Sequence, residues 1–247
     1  MQLRSRWFLI CFVFSAAFCT SGAEVRLPHV IGDHMVLQRD LPIHLWGWSD
    51  PGEKVTVSMH GQTVSTAGSD LGEWSVHLPA MHAGGPFELT IQGANTVTLS
   101  DVLIGDVWFA SGQSNMEMPL SGFPGNAVVK DADQEIAHAD LPQVRLLRVA
   151  QKSSDWPVAD VSGSWTACTP ETAAQFSAVA YFFGREIQKR EHVPIGLIDS
   201  SWGGTPAEAW VSLGGLASDA SLMPVFAARA KLMEEQDSIP QLVAKEK

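Results

Sequence analysis

The sequence predicts an all-β, immunoglobulin-like sandwich followed by an α/β region built on a parallel sheet. Three observations carry this. Between Val25 and Leu103, short alternating apolar runs are split by Gly, Pro and Asp turns, the pattern of antiparallel strands. After Asp101 the runs lengthen and lose their alternation, as in strands buried on both faces. From Thr169 a helix-period segment stands between two such runs, and strand, helix, strand argues for parallel pairing.

Taken in order, residues 1–23 read as an export signal. Arg4 and Arg6 precede the apolar run Trp7 to Phe14, and small residues end at Ser21-Gly22-Ala23, with cleavage expected after Ala23. A membrane anchor would need roughly 20 apolar residues against about 12 here. Lipidation of Cys19 would need a small residue before it, where Phe18 stands. The mature protein is therefore expected to be secreted or periplasmic and to have no membrane partner. Cys11 and Cys19 leave with the signal, so Cys168 remains alone, no internal disulfide forms, and Cys168 reads as a small buried residue.

The 247 residues, 45% hydrophobic and 17% charged, suffice for one large or two modest domains. The net charge is −11 and becomes −13 once the two signal arginines are removed, a balance that argues against nucleic acid as a partner.

The sandwich is placed at residues 24–103. Its strands are Ile43–Trp48, Lys54–Ser58, Glu73–Leu78, Phe87–Ile91 and Thr96–Leu99, with turns at Ser49–Gly52, Gly68–Gly72 and Gly84–Pro86. Residues 104–247 form the α/β part. Val102–Ala110 is expected as a strand buried on both faces, Val144–Val149 as a second and Ile195–Asp199 as a third. The helix starting at Thr169-Pro170-Glu171 would bury Phe176, Val179, Ala180, Phe183 and Ile187. A helical tail from about residue 216 includes Met223–Glu235, with Val225, Ala228 and Leu232 at helical spacing.

In an open parallel sheet, ligands gather at the carboxyl ends of strands. Two turns occupy such ends. Ala110-Ser-Gly-Gln-Ser-Asn-Met116 follows the first buried strand, and Gly112 allows a tight turn that presents Ser114 outward as a candidate nucleophile. A serine in a polar turn also occurs for purely structural reasons, and Met116 departs from the Gly-x-Ser-x-Gly elbow. Asp199-Ser-Ser-Trp-Gly-Gly-Thr-Pro-Ala-Glu-Ala-Trp210 follows the third strand. Thr205, Pro206 and Glu208 read as a capped helix start, which would give the amides of Gly203 and Gly204 a helix dipole for holding an oxyanion. An ordinary glycine-rich turn is the competing reading. Together the two turns make the arrangement that acyl transfer requires.

These two segments, Ser111-Gly-Gln-Ser-Asn-Met-Glu-Met118 and Ile195 to Trp210, with Gly32-Asp-His-Met-Val-Leu-Gln38, resemble the sialate O-acetylesterase family. The resemblance runs from the sandwich to about Ser212. It implies a flavodoxin-like hydrolase of the SGNH type acting on an acetylated carbohydrate without a cofactor. By it Ser114 attacks the ester, the Ser114 amide and one of Gly203 and Gly204 hold the oxyanion, and Gln113, Asn115 and Trp202 contact substrate. No metal is expected, since no His or acidic cluster has ligand spacing.

The family's later Gln-Gly-Glu and Asp-x-x-His motifs do not occur. The sequence thus reads as the front portion of such an esterase, weakly active or inactive alone and inclined to self-associate through an unpaired apolar strand edge. None of the eight histidines substitutes for the base; His138 and His192 lie in the α/β part, with His192 expected at the far end of the sheet. Two alternatives remain open: an acetylxylan-type esterase, and a non-catalytic glycan-binding protein that uses Trp46, Trp48 and Trp74 of the sandwich.

Overall fold

The computed structural model describes residues 24–125, 127–154, 156–228 and 231. The expected export signal lies outside them.

The β-rich half begins with β1 (Val36–Gln38), β2 (Ile43–Trp48), β3 (Lys54–Met59), β4 (Gln62–Ala67), β5 (Glu73–Leu78) and β6 (Gly84–Gln92). β2 and β5 form a two-stranded antiparallel sheet. Their inward residues, including Ile43, Leu45, Trp74 and Val76, share one core with Val55 and Val57 of β3 and Leu89 and Ile91 of β6. Alternation directs this: β5 reads exposed, buried three times over, putting Trp74, Val76 and Leu78 on one face. Burial of Trp74 removes it from any sugar-stacking surface.

The strands expected at 96–99 and 102–110 are one continuous strand, β7 (Thr96–Gly112). It carries the chain from the β-rich half into the parallel region. Asp101 takes a left-handed φ of 54° within it. Next come a single helical turn α1 (Ser114–Glu117), α2 (Ala132–Ala137), β8 (Leu141–Arg148), β9 (Trp165–Cys168), α3 (Pro170–Ala174), α4 (Ala178–Glu191), β10 (Ile195–Ser201) and α5 (Leu213–Ala217). The main sheet has eight strands in the order β4-β3-β6-β7-β10-β8-β9, with β1 also pairing β7 in parallel. β7, β10 and β8 are mutually parallel, as strand, helix, strand predicted.

Two expectations need correction. Only Val102–Gly105 of the first long strand is buried; Trp108 is 44% and Phe109 66% exposed. The reason is that β10 alone pairs with residues 106–112 among the described residues, which leaves one strand edge and parts of both faces uncovered.

The helix from Thr169 is two helices. Thr169 and Thr172 form the capping box of α3, and Ser177 then caps α4 by accepting from Ala180 N. This restart shifts the helical phase, so Ala178, Ala180, Tyr181 and Gly184 are buried in α4 while Val179 and Phe183 face outward.

Residues 223–228 are helical, and residues 229, 230 and 232–235 of the expected Met223–Glu235 helix lie outside the described residues. Cys168 is fully buried as expected, its thiol pushed up to about 12 by burial.

Candidate active site

β7 and β10 run in parallel register from Asp106↔Ile195 to Gly112↔Ser201, so both strands end side by side. The Trp202 amide donates to Gly112 O at 3.0 Å and ties the two following turns. Gly112 has a φ of 139°, a conformation that L side chains rarely adopt, and it turns the chain directly into α1.

Ser114 is the first residue of α1 and is exposed at the end of the sheet. Gln113 Oε1 accepts from both the Ser114 amide, at 3.0 Å, and the Ser114 hydroxyl, at 2.7 Å. Asn115 is exposed beside it. Opposite, a Cβ built on Gly203 would lie 3.4 Å from Ser114 Cα and Cβ and would collide with the Glu117 carboxylate. A side chain there would meet Ser114 at ordinary contact distance and displace the end of Glu117, and the structure thus brings Ser114 and the Gly203-Gly204 turn close together.

The helix start expected at Thr205 is corrected. Residues Ala207–Trp210 make one 3-10 turn without a side-chain cap, and Thr205 Oγ1 instead donates to Trp202 O at 2.7 Å and accepts from Trp210 Nε1 at 2.9 Å. The two glycines thus precede no α-helix, and a helix dipole contributes nothing to their amides.

A charged cluster underlies the two turns, and sequence reasoning missed it. Glu117 Oε2 accepts from the Gly203 amide at 2.5 Å, and its Oε1 from Gln151 Nε2 at 2.6 Å. Arg148 stands between two carboxylates, 3.9 Å from Glu117 Oε1 and 3.7 Å from Asp199 Oδ2. Burial pushes the Asp199 carboxyl above its ordinary range, against the opposing pull of the Ser201 hydroxyl, which donates to Oδ1 at 2.6 Å, and of Arg148. Asp199 Oδ2 is buried and has no hydrogen-bond partner among the described residues. The available signals were an acid inside the apolar strand Ile195–Ile198-Asp199 and a Glu one helical turn after Ser114.

Beyond the glycine turn lies a groove of about 1040 Å³, lined in part by Gln151, Lys152, Ser201, Trp202, Thr205 and Trp210. Trp202 is 37% exposed in its wall. Gln113, Ser114 and Asn115 stand outside that lining, so the residues expected to contact substrate divide between two neighbouring surfaces.

His192 caps the C-terminus of α4 just before β10, at the sheet end opposite Ser114. His138 precedes β8 at that same end, its Nδ1 on Gln134 O. Among the described residues no group of three His, Cys, Asp or Glu side chains is arranged to hold a metal ion. Nor is any described helix long and apolar enough to cross a membrane.

The mixed sheet with its helices has the fold of a carbohydrate esterase. It matches the crystal structure of a carbohydrate acetylesterase from Xanthomonas citri with a TM-score of 0.75 and 41% identity, over 78% of this chain and 44% of that one. The chain belongs to the carbohydrate esterase, sialic acid-specific acetylesterase family, whose model matches residues 104–239. The Homo sapiens sialate O-acetylesterase is 36% identical over 214 residues, and that of Mus musculus 33% over 225. These alignments cover 78% and 83% of this chain, which spans 40% of the length of each relative. The family read from the Gly-Gln-Ser-Asn and Trp-Gly-Gly-Thr segments is thereby borne out.

Proposed function

We propose that this chain is a serine carbohydrate O-acetylesterase component acting on acetylated sialic acid or a related acetylated sugar. One observation carries the reading: Ser114 and the Gly203-Gly204 turn stand side by side at the ends of adjacent parallel strands, so that a Cβ added at Gly203 would fall 3.4 Å from Ser114 Cα and Cβ. In this reading Ser114 Oγ attacks the acetyl carbonyl, the bond to the sugar oxygen breaks, and water then releases acetate from Ser114.

The oxyanion would be held by the Ser114 amide and by Gly204, because the Gly203 amide already donates to Glu117. Gln113 Oε1, an acceptor on the Ser114 amide, marks the place that the oxyanion takes. Asn115 and Trp202 would contact the sugar. The facing layers of residues 24–103 fit an immunoglobulin-like module, the parallel region from Ile104 a flavodoxin-like hydrolase sheet, and residues 1–23 an export signal removed from the mature protein.

With no histidine placed at Ser114 among the described residues, turnover by this chain is expected to be weak. The test is acetate release from O-acetylated sialic acid, acetylated xylan and 4-nitrophenyl acetate, with mass spectrometry of the Ser114 peptide. Slow release with an acetylated Ser114, both abolished in Ser114→Ala, is the expected result. Release unaffected by that substitution would sink the proposal, and release only from xylan would move the substrate.

A further inference from the structure

Three separate segments meet at one side chain beneath the site. Glu117 belongs to the nucleophile turn, Gln151 to the stretch after β8, and Gly203 to the glycine turn after β10. The Glu117 carboxylate accepts from the latter two, at 2.6 Å and 2.5 Å, and Gln151 Nε2 also donates to Ser201 O at 3.2 Å. The Glu117 side chain is 19% exposed; its bond from Gly203 is partly buried while that from Gln151 lies at the surface, and Arg148 supplies a nearby countercharge. Backbone contact alone would leave the approach of Gly203 to Ser114 loosely specified: Trp202 N to Gly112 O anchors the turn one residue earlier, and Gly204 has a φ of 77°.

We propose that Glu117 is the positioning residue of this site. It clamps the Gly203 amide, thereby aims the next amide, that of Gly204, across the face of Ser114, and keeps the Gln151 side of the groove in register with both. The inference rests on the esterase reading for its kinetic consequence and on the hydrogen bonds alone for its structural one. Glu117 itself exchanges no proton with substrate.

The experiment measures amide hydrogen exchange at residue resolution, with Ser114-dependent hydrolysis of 4-nitrophenyl acetate, in the 247-residue chain and its Glu117→Ala and Glu117→Gln variants. Losing a charge-assisted acceptor should speed exchange at Gly203 about tenfold to a hundredfold in Glu117→Ala, leaving Leu197 to Asp199 and α4 protected. Glu117→Gln keeps one acceptor for Gly203 but turns a donor against Gln151, so an intermediate value is expected. Hydrolysis should lose a similar factor in kcat with KM within about twofold, rescued in part by Gln.

Unchanged exchange at Gly203 in both variants overturns the proposal. So does loss of protection throughout β10 and α4 in both, the sign of an acid that merely stabilises the fold. Should hydrolysis survive Ser114→Ala, the esterase reading falls while exchange at Gly203 still decides the clamp.

Discussion

β7 contains two halves of similar apolar composition and opposite fate. Val102, Leu103 and Ile104 are at most 1% exposed, packed where β6 pairs antiparallel and β1 runs alongside. Four residues further on, Trp108 and Phe109 stand 44% and 66% exposed, with β10 as their one strand partner among the described residues. Trp108 meets Phe183 of α4 edge-on, the ring centroids 4.9 Å apart. A run of apolar residues thus specifies that a strand forms. Its neighbours decide what that strand buries.

The comparison breaks most visibly under truncation. Ile104→Ala should cost about 2–5 kcal/mol, whereas Phe109→Ala should stay within about 0.5 kcal/mol, as read from urea unfolding midpoints. Equal losses at the two positions would mean that the second half is covered in solution.

The next effect is association. Among the described residues the edge of 108–112 away from β10 has no strand partner, the Val107 amide before it being held by Gln38 Oε1, and it offers an aromatic side chain to a second copy of the chain. Phe109→Lys should raise the dissociation constant of self-association about tenfold or more in sedimentation, worth ~1.4 kcal/mol. A wild-type chain that is monomeric at high concentration would refute this.

The smallest effect sharpens the buried half. Asp101, at the left-handed kink of β7, takes a bidentate pair of bonds from buried Arg145 of β8, at 2.5 and 3.0 Å. Those bonds hold its carboxyl below the ordinary range, helped by His34. A depressed folded value means that the stabilisation is complete above the unfolded value and is lost as pH falls through the folded one. Acid titration of stability should therefore steepen below about pH 4. Asp101→Asn should remove about 1 kcal/mol of it, a figure reduced for the partial exposure of the pair.

Much of this was legible in the residues. The alternation of β2, β3 and β5 and the long apolar runs placed the strands, and the turns ending two of them located Ser114 and Gly203-Gly204. What escaped has physical causes. β4 reads Gln-Thr-Val-Ser-Thr-Ala, a polar strand whose pairing with β3 supplies the reason for it to be extended. Ser177 restarts a helix through one hydroxyl, too local a signal to overturn the apolar spacing around it. The partnership of Glu117, Gln151 and Gly203 spans 86 residues of chain and exists only once β8 and β10 are side by side.

The continuity of β7 has a mechanical consequence. A single strand leads from the β-rich half to within two residues of Ser114, with no linker at residues 103–104 to absorb a rotation. The two halves share a beam rather than a hinge. Any load on the β-rich half bends the seat of the serine, and a cut between the halves severs a strand.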